Sequence, residues 1–187
     1  DEYDRSFLHL HPEVAVINSV DADHLDIYGT EAEVRASYEK FAAQLKPGGQ
    51  LFLEQSIDFQ IDAARRFGIE AGDIQAKNIR IEDGCTVFDL EFYGNSPLTG
   101  HEKIVIQQLK DLRFPYPGLH NVKNAIAAIA ATLITGADVL KIPSALASFK
   151  GVKRRFEIIA KTDKTVYVDD YAHHPAELEA AISAAKM

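Results

Sequence analysis

The sequence predicts an α/β fold: a mostly parallel sheet flanked by helices, carrying an antiparallel β addition and followed by the first strand and helix of a second α/β unit. Three observations predict it. Apolar runs at residues 14–17 and 51–53 bracket a segment with helical periodicity. Strand, helix and strand in that order form a βαβ unit, whose crossover makes the strands parallel. Asp83-Gly84 joins two strand-like runs with the residue pair favoured in tight hairpins. A basic stretch, Gly151-Val152-Lys153-Arg154-Arg155, then precedes a new strand-to-helix start. Composition agrees with a folded chain. Of 187 residues 47% are hydrophobic and 26% charged, and 20 Lys and Arg against 28 Asp and Glu leave a net charge of −8. That much apolar material can form a core, which excludes a disordered chain.

The elements follow in order. Residues 14–17, Val-Ala-Val-Ile, read as a buried strand that ends in the polar cluster Asp21, Asp23, His24 and Asp26. Residues 30–46 read as a helix. Thr30 and Glu33 make a capping box, Val34, Tyr38, Phe41, Ala42 and Leu45 share one face, and Pro47-Gly48-Gly49 stops the helix. Residues 51–53 resume as a strand, and 58–67 are expected to form another helix. Residues 78–81, 86–92 and 103–109 read as three strands of the antiparallel addition. Tyr116-Pro117-Gly118 is a turn, 120–135 a buried alanine-rich helix, and Pro143 opens a short helix to Phe149. Residues 165–168 read as a strand and Pro175 onward as a helix.

Several function classes recede at this stage. No apolar run reaches the roughly 18 residues of a membrane span, and the first residues lack the apolar core of a signal peptide. One cysteine, Cys85, permits no internal disulfide and no multi-cysteine zinc site. These features favour the cytoplasm, and the acidic balance disfavours nonspecific nucleic-acid binding. The chain lacks an initiator Met and closes on a helical pattern without a stop signal, so it is expected to be a piece of a longer protein.

Four clusters could carry chemistry. Asp21, Asp23, His24 and Asp26 lie beyond a strand's carboxyl end, where open α/β sheets bind ligands. They suit either a divalent metal or a solvated, backbone-bonded loop. Asn121 and Asn124 are neighbours on the first turns of a helix, where an amide either caps the helix or reads a purine edge. Lys153-Arg154-Arg155 could grip phosphate or carboxylate at the junction, or remain solvated surface. Asp169-Asp170-Tyr171-Ala172-His173-His174-Pro175 lies between strand and helix and could bind metal, move protons or hold a substrate. No G-x-x-x-x-G-K-[ST] phosphate loop occurs.

Taken in chain order, Asp-Glu-Tyr-Asp-Arg-Ser-Phe-Leu, Asp-Ala-Asp-His-Leu-Asp-Ile-Tyr, Gly-Leu-His-Asn-Val-Lys-Asn-Ala, Phe-Lys-Gly-Val-Lys-Arg-Arg-Phe-Glu and Asp-Asp-Tyr-Ala-His-His-Pro resemble the Mur ligase family. The resemblance spans essentially the whole chain. It implies that residues 1–155 are the later part of a central ATP-binding domain and 156–187 the start of a C-terminal Rossmann-like domain. It also implies ATP and Mg²⁺ as cofactors and an acyl phosphate that an amine converts to an amide. The motifs look most like the branch that joins L-alanine to UDP-N-acetylmuramate in peptidoglycan synthesis, which serves cell-wall growth, shape and division. The branch that attaches a preformed tripeptide is the nearest alternative, and a metal-dependent hydrolase lies further off. The resemblance makes His24 a metal ligand and, with Arg155, a catalytic residue. It places His120, Asn121 and Asn124 at the adenine, Arg155 at the phosphates and Asp170 at the ribose. Tyr171, His173 and His174 fall in a loop that faces the substrates. The family's metal-binding glutamate would precede Asp1, and Lys40 is not assigned to the carbamylated lysine of some relatives. The isolated segment is expected to be inactive.

Overall fold

A computed structural model describes residues 3–21, 25–61, 63–97 and 102–186. The sheet strands are β1 (Val14–Ile17), β2 (Gln50–Glu54), β3 (Arg65–Ile69), β4 (Ile74–Glu82), β5 (Cys85–Asn95) and β6 (Lys103–Phe114). They lie in sequence order in one sheet, parallel from β1 through β4 and antiparallel from β4 through β6. Helices α1 (Leu25–Tyr28) and α2 (Glu31–Ala43) connect β1 to β2, and α3 (Leu119–Ile134) and α4 (Ile142–Ala147) follow β6. A two-stranded antiparallel sheet, β7 (Glu157–Lys161) with β8 (Val166–Asp169), and helix α5 (Pro175–Ala185) complete the chain.

The layering follows from strand geometry, because successive side chains point to opposite faces. Ala15, Ile17, Leu51 and Leu53 enter a core with Tyr38, Phe41 and Ala42 of α2. Their neighbours Val14, Val16 and Phe52 enter a second core, with Val122, Ala125, Ile126, Ile129 and Ala130 of α3. Both faces of β1 and β2 are therefore covered, as a parallel sheet requires. Each fully buried residue of the size of Ile126 or Leu53 contributes about 1.5–3 kcal/mol.

Caps and turns match the local chemistry. Thr30 is the N-cap of α2, and its hydroxyl accepts from the Glu33 N–H at 3.3 Å. Asp83 and Gly84 both adopt left-handed backbone (φ 50° and 75°), as a primed two-residue hairpin turn demands. The antiparallel strands run longer than their apolar runs, because the buried carboxylate of Asp89 supports two irregular points. It accepts from Asn78 Nδ2 at 2.7 Å and from the Asp111 N–H at 2.9 Å, where both partners have positive φ.

Two expectations change. The helix expected over 58–67 is not formed: residues 58–61 are irregular and 65–67 belong to β3. Ile57 and Phe59 belong to the core beneath α2, whereas Phe67 belongs to the core beneath α3. The chain therefore enters the sheet from the α2 side as β3, whose Phe67 faces α3, and Arg66 ties the two by donating to the carbonyls of Ile57 and Phe59 at 2.6 and 2.7 Å. Strand β7 is also new; its alternation is weak because four of its five residues are exposed.

β3 and β4 are parallel although only residues 70–73 connect them, far fewer than the dozen usual for such a link. Left-handed Glu70 (φ 56°) and Gly72 (φ 98°) reverse the chain twice. Asp73 locks the return: its N–H donates to Arg66 O at 2.7 Å and its carboxylate accepts from Arg66 N at 2.9 Å. A Cβ on Gly72 would stand 2.7 Å from the Arg66 carbonyl oxygen. Gly72→Ala is thus expected to lower unfolding free energy by about 1–3 kcal/mol in urea titrations, through contact and disfavoured φ together.

Candidate functional site

The parallel strands end at the start of α3, and a cleft of about 460 Å³ opens there, lined among others by Glu54, Ser56, Ile69, Leu119, His120 and Lys123. Its position is the carboxyl edge of an open α/β sheet, the usual ligand site of such folds. Gly118 (φ 102°) turns the chain into α3, and its carbonyl receives the N–H groups of Asn121 and Val122. The N–H groups of a helix's first turn and its dipole favour anions at this end.

Glu54 closes β2 and is buried, with only 4% of its surface exposed. Its Oε1 is 2.7 Å from Lys123 Nζ, while its Oε2 accepts from both the N–H and the hydroxyl of Ser56. Burial pushes its pKa up, but Lys123 and Ser56 outweigh burial and hold the carboxyl below the ordinary glutamate range. The cleft floor therefore carries an ionised carboxylate whose charge Lys123 balances.

His120 is half-buried on the cleft wall. Burial depresses its pKa first; the carboxylate of Asp170 opposes the shift and the Arg155 guanidinium adds to it. Asp170 and Arg155, both expected from sequence, thus come within electrostatic reach of His120. Arg155 comes from the link before β7, and Asp170 from the end of β8. Both Asp170 oxygens organise backbone: Oδ2 accepts from the Phe156 N–H and Oδ1 from the Ala172 N–H, each at 2.8 Å. Arg155 Nη1 lies 3.3 Å from Glu177 Oε1 on α5.

The other expected residues are distributed as follows. Asn121 Nδ2 donates to Pro117 O at 2.7 Å, and Asn124 Oδ1 accepts from Asn18 Nδ2 at 2.9 Å, which ties α3 to the end of β1. Tyr171 packs its ring on the Arg154 guanidinium at 4.3 Å and on the His173 ring at 5.2 Å. His173 Nδ1 lies 3.0 Å from the Tyr171 carbonyl oxygen, and His174 is the N-cap residue of α5. His24 lies outside the described residues. Among the described residues no group of three His, Cys, Asp or Glu side chains is placed to hold a metal ion.

Glu54, Lys123 and Glu177 were not singled out from sequence. The signal for Glu54 is a lone charge ending an apolar strand. Lys123 stands three residues after His120, hence on the same side of the helix.

Comparisons with known proteins agree along the chain. Residues 2–132 match the Mur ligase middle domain, and residues 154–187 match the Mur ligase, glutamate ligase domain. The chain is 43% identical to the UDP-N-acetylmuramate–L-alanine ligase of Flavobacterium johnsoniae, over 100% of this chain and 38% of that protein. It therefore spans well under half the length of that relative. Its fold matches the crystal structure of UDP-N-acetylmuramate-alanine ligase MurC from Thermotoga maritima with TM-score 0.76 and 26% identity, over 100% of this chain and 41% of that one. MurF from Acinetobacter baumannii matches with TM-score 0.72 and 26% identity, over 96% of this chain and 38% of that one.

The charge arrangement makes two measurable statements. Lys123→Met leaves the buried Glu54 carboxylate unbalanced and is expected to cost about 1–3 kcal/mol of unfolding free energy. Glu54→Gln, which keeps an oxygen for Ser56, should cost less. Because the folded pKa of Glu54 is depressed, its stabilisation is present above pH 4.5 and is lost as the pH falls through the lowered value. The His120 ring should titrate below 6.5 when followed by proton NMR. Asp170→Asn should lower that midpoint further and Arg155→Ala should raise it. The neutral imidazole contributes stability above pH 6.5 that is lost as the pH falls through its lowered midpoint.

Proposed function

This chain belongs to the Mur ligase family, and on that premise we propose that it is part of an ATP-dependent ligase joining L-alanine to UDP-N-acetylmuramate in peptidoglycan synthesis. The observation that carries the reading is that His120 lines a cleft at the start of α3 while Arg155 and Asp170, from two other segments, come within its electrostatic reach. The 43% identity to a UDP-N-acetylmuramate–L-alanine ligase along the whole chain favours the alanine-adding reaction over tripeptide attachment. The proposed domain boundary falls at residue 155, between a central ATP-binding part and the start of the C-terminal domain.

The reaction must gather repelling anions and then neutralise charge as a phosphoryl group moves. In the proposed enzyme the substrate carboxylate takes the γ-phosphoryl group of ATP. The amine of L-alanine attacks the acyl phosphate, and the tetrahedral intermediate collapses to amide and phosphate, with ADP as the other product. Arg155 supplies positive charge at the phosphates. The two asparagines are complementary. Asn121 spends its amino group on Pro117 and so offers an acceptor, while Asn124 spends its carbonyl on Asn18 and so offers a donor. One acceptor and one donor match the amino group and ring nitrogen of adenine. His120, kept neutral, can lie against the base without adding charge. Each Asp170 oxygen has a further lone pair for a ribose hydroxyl after serving the backbone. Tyr171, His173 and His174 would border the substrates from the C-terminal side. A magnesium ion, when bound, would supply charge neutralisation at the phosphates. The proposed ligand His24 lies outside the described residues, and the described ones form no three-ligand cluster.

The test is phosphate release by the full-length ligase containing this chain, given ATP, Mg²⁺ and UDP-N-acetylmuramate. Release is expected to require L-alanine, and Arg155→Ala is expected to reduce turnover by about 10²-fold. Release without any amino acid would move the assignment to a hydrolase. Release only with a preformed tripeptide would move it to the tripeptide-attaching branch.

A further inference from the structure

Glu177 stands in the first turn of α5 and contacts more of the junction than a helix cap needs. Its Oε2 accepts from the backbone N–H of His173 at 3.1 Å and of His174 at 3.5 Å, and lies 3.4 Å from His173 Nδ1. Those contacts alone would serve α5, since a capping glutamate satisfies N–H groups that the helix leaves open. The second oxygen does something else. Oε1 reaches Arg155 Nη1 at 3.3 Å, across 22 residues of sequence and in a different segment. One carboxylate thus joins the His173–His174 loop to the arginine of the link.

The backbone around Arg155 is already fixed. Arg154 and Phe156 on either side have left-handed φ of 60° and 50°. The Phe156 N–H is held by Asp170, the Arg154 N–H by Glu157, and the Arg155 N–H by the Val152 carbonyl. The long arginine side chain is what remains to be ordered, and Glu177 is its ion-pair partner. The same guanidinium is close enough to His120 to oppose protonation of the ring, so its charge is felt at the wall of the cleft.

We propose that Glu177 is a positioning residue, which orients Arg155 toward the nucleotide phosphates and sets the His173–His174 loop against the same site. This inference rests on the nucleotide-binding reading above. Glu177 touches no reacting atom; it acts through Arg155. Its carboxyl is held below the ordinary glutamate range, first by the His173 N–H and further by Arg155, so the pair persists at neutral and mildly acidic pH.

A double-mutant cycle in the full-length ligase tests this, with ATP affinity read by calorimetry and turnover by phosphate release. Glu177→Gln keeps an oxygen for the backbone N–H groups and removes the charge that holds Arg155. It is expected to weaken ATP binding about fivefold to tenfold, with the melting temperature unchanged and a smaller change in kcat. In an Arg155→Ala background the same substitution is expected to add almost nothing. Glu177→Asp, which keeps the charge on a shorter arm, should recover part of the loss. Equal losses in both backgrounds, or unchanged ATP affinity in Glu177→Gln, would overturn the inference and leave a simple helix cap. If Glu177→Gln also lowers the melting temperature, the comparison between backgrounds still decides, because a folding defect would appear in both. Wild-type enzyme that binds ATP without alanine-dependent phosphate release would overturn the alanine-adding assignment alone, since the affinity cycle still reads Glu177. Absence of ATP binding would overturn both.

Discussion

The burial of α3 across the parallel strands is the constraint on which the rest of the molecule depends. Val122 and Ile126 are completely buried, and Ala125, Ile129 and Ala130 nearly so. Because each residue advances the helix by about 100°, this apolar stripe fixes the rotation of α3. His120, Asn121, Lys123 and Asn124 occupy the positions left over, toward the cleft and the end of β1. Turning the helix to bury those polar groups would forfeit the apolar contacts and strand four hydrogen-bonding side chains. The geometry of the candidate site is therefore a by-product of hydrophobic register.

Electrostatics at this edge follow from that placement. The same register that buries Ile126 sets Lys123 over the end of β2, where it meets Glu54. A buried carboxylate without a cation would protonate or unfold its surroundings, so the two residues are one unit. Beside that balanced pair, burial disfavours protonation of His120, and the first-turn N–H groups of α3 favour an anion.

The junction depends on backbone that few residues tolerate. Gly151 has φ 81°, and a Cβ there would lie 2.1 Å from the Tyr116 hydroxyl oxygen; Arg154 and Phe156 adopt left-handed φ without being glycine. Such conformations persist only where surrounding contacts over-determine them. Here Asp170, Glu157 and Tyr171 do so, through bonds to Phe156, Arg154 N–H and the Arg154 carbonyl. Asp170, a candidate ligand in the sequence, is engaged here in holding the link that carries Arg155.

Local chemistry in the chain was enough to determine several features. The strand at residues 14–17, the Thr30 cap, the Asp83-Gly84 turn and the long helix after Gly118 each follow from neighbouring residues, because hydrogen bonding and periodicity act within a few positions. Ordered motifs also pointed to His120, Asn121, Asn124, Arg155 and Asp170. What only the tertiary structure decided depends on distant residues. Residues 58–61 are irregular and 65–67 open β3, because Phe59 and Phe67 serve cores on opposite faces of the sheet, which periodicity cannot register. Glu54 gained significance only when Lys123, 69 positions later, came to rest on it, and Glu177 only when α5 brought it to Arg155. Short-range patterns specify which elements form. Which charges meet is set by how those elements pack, and it is there that the candidate site takes shape.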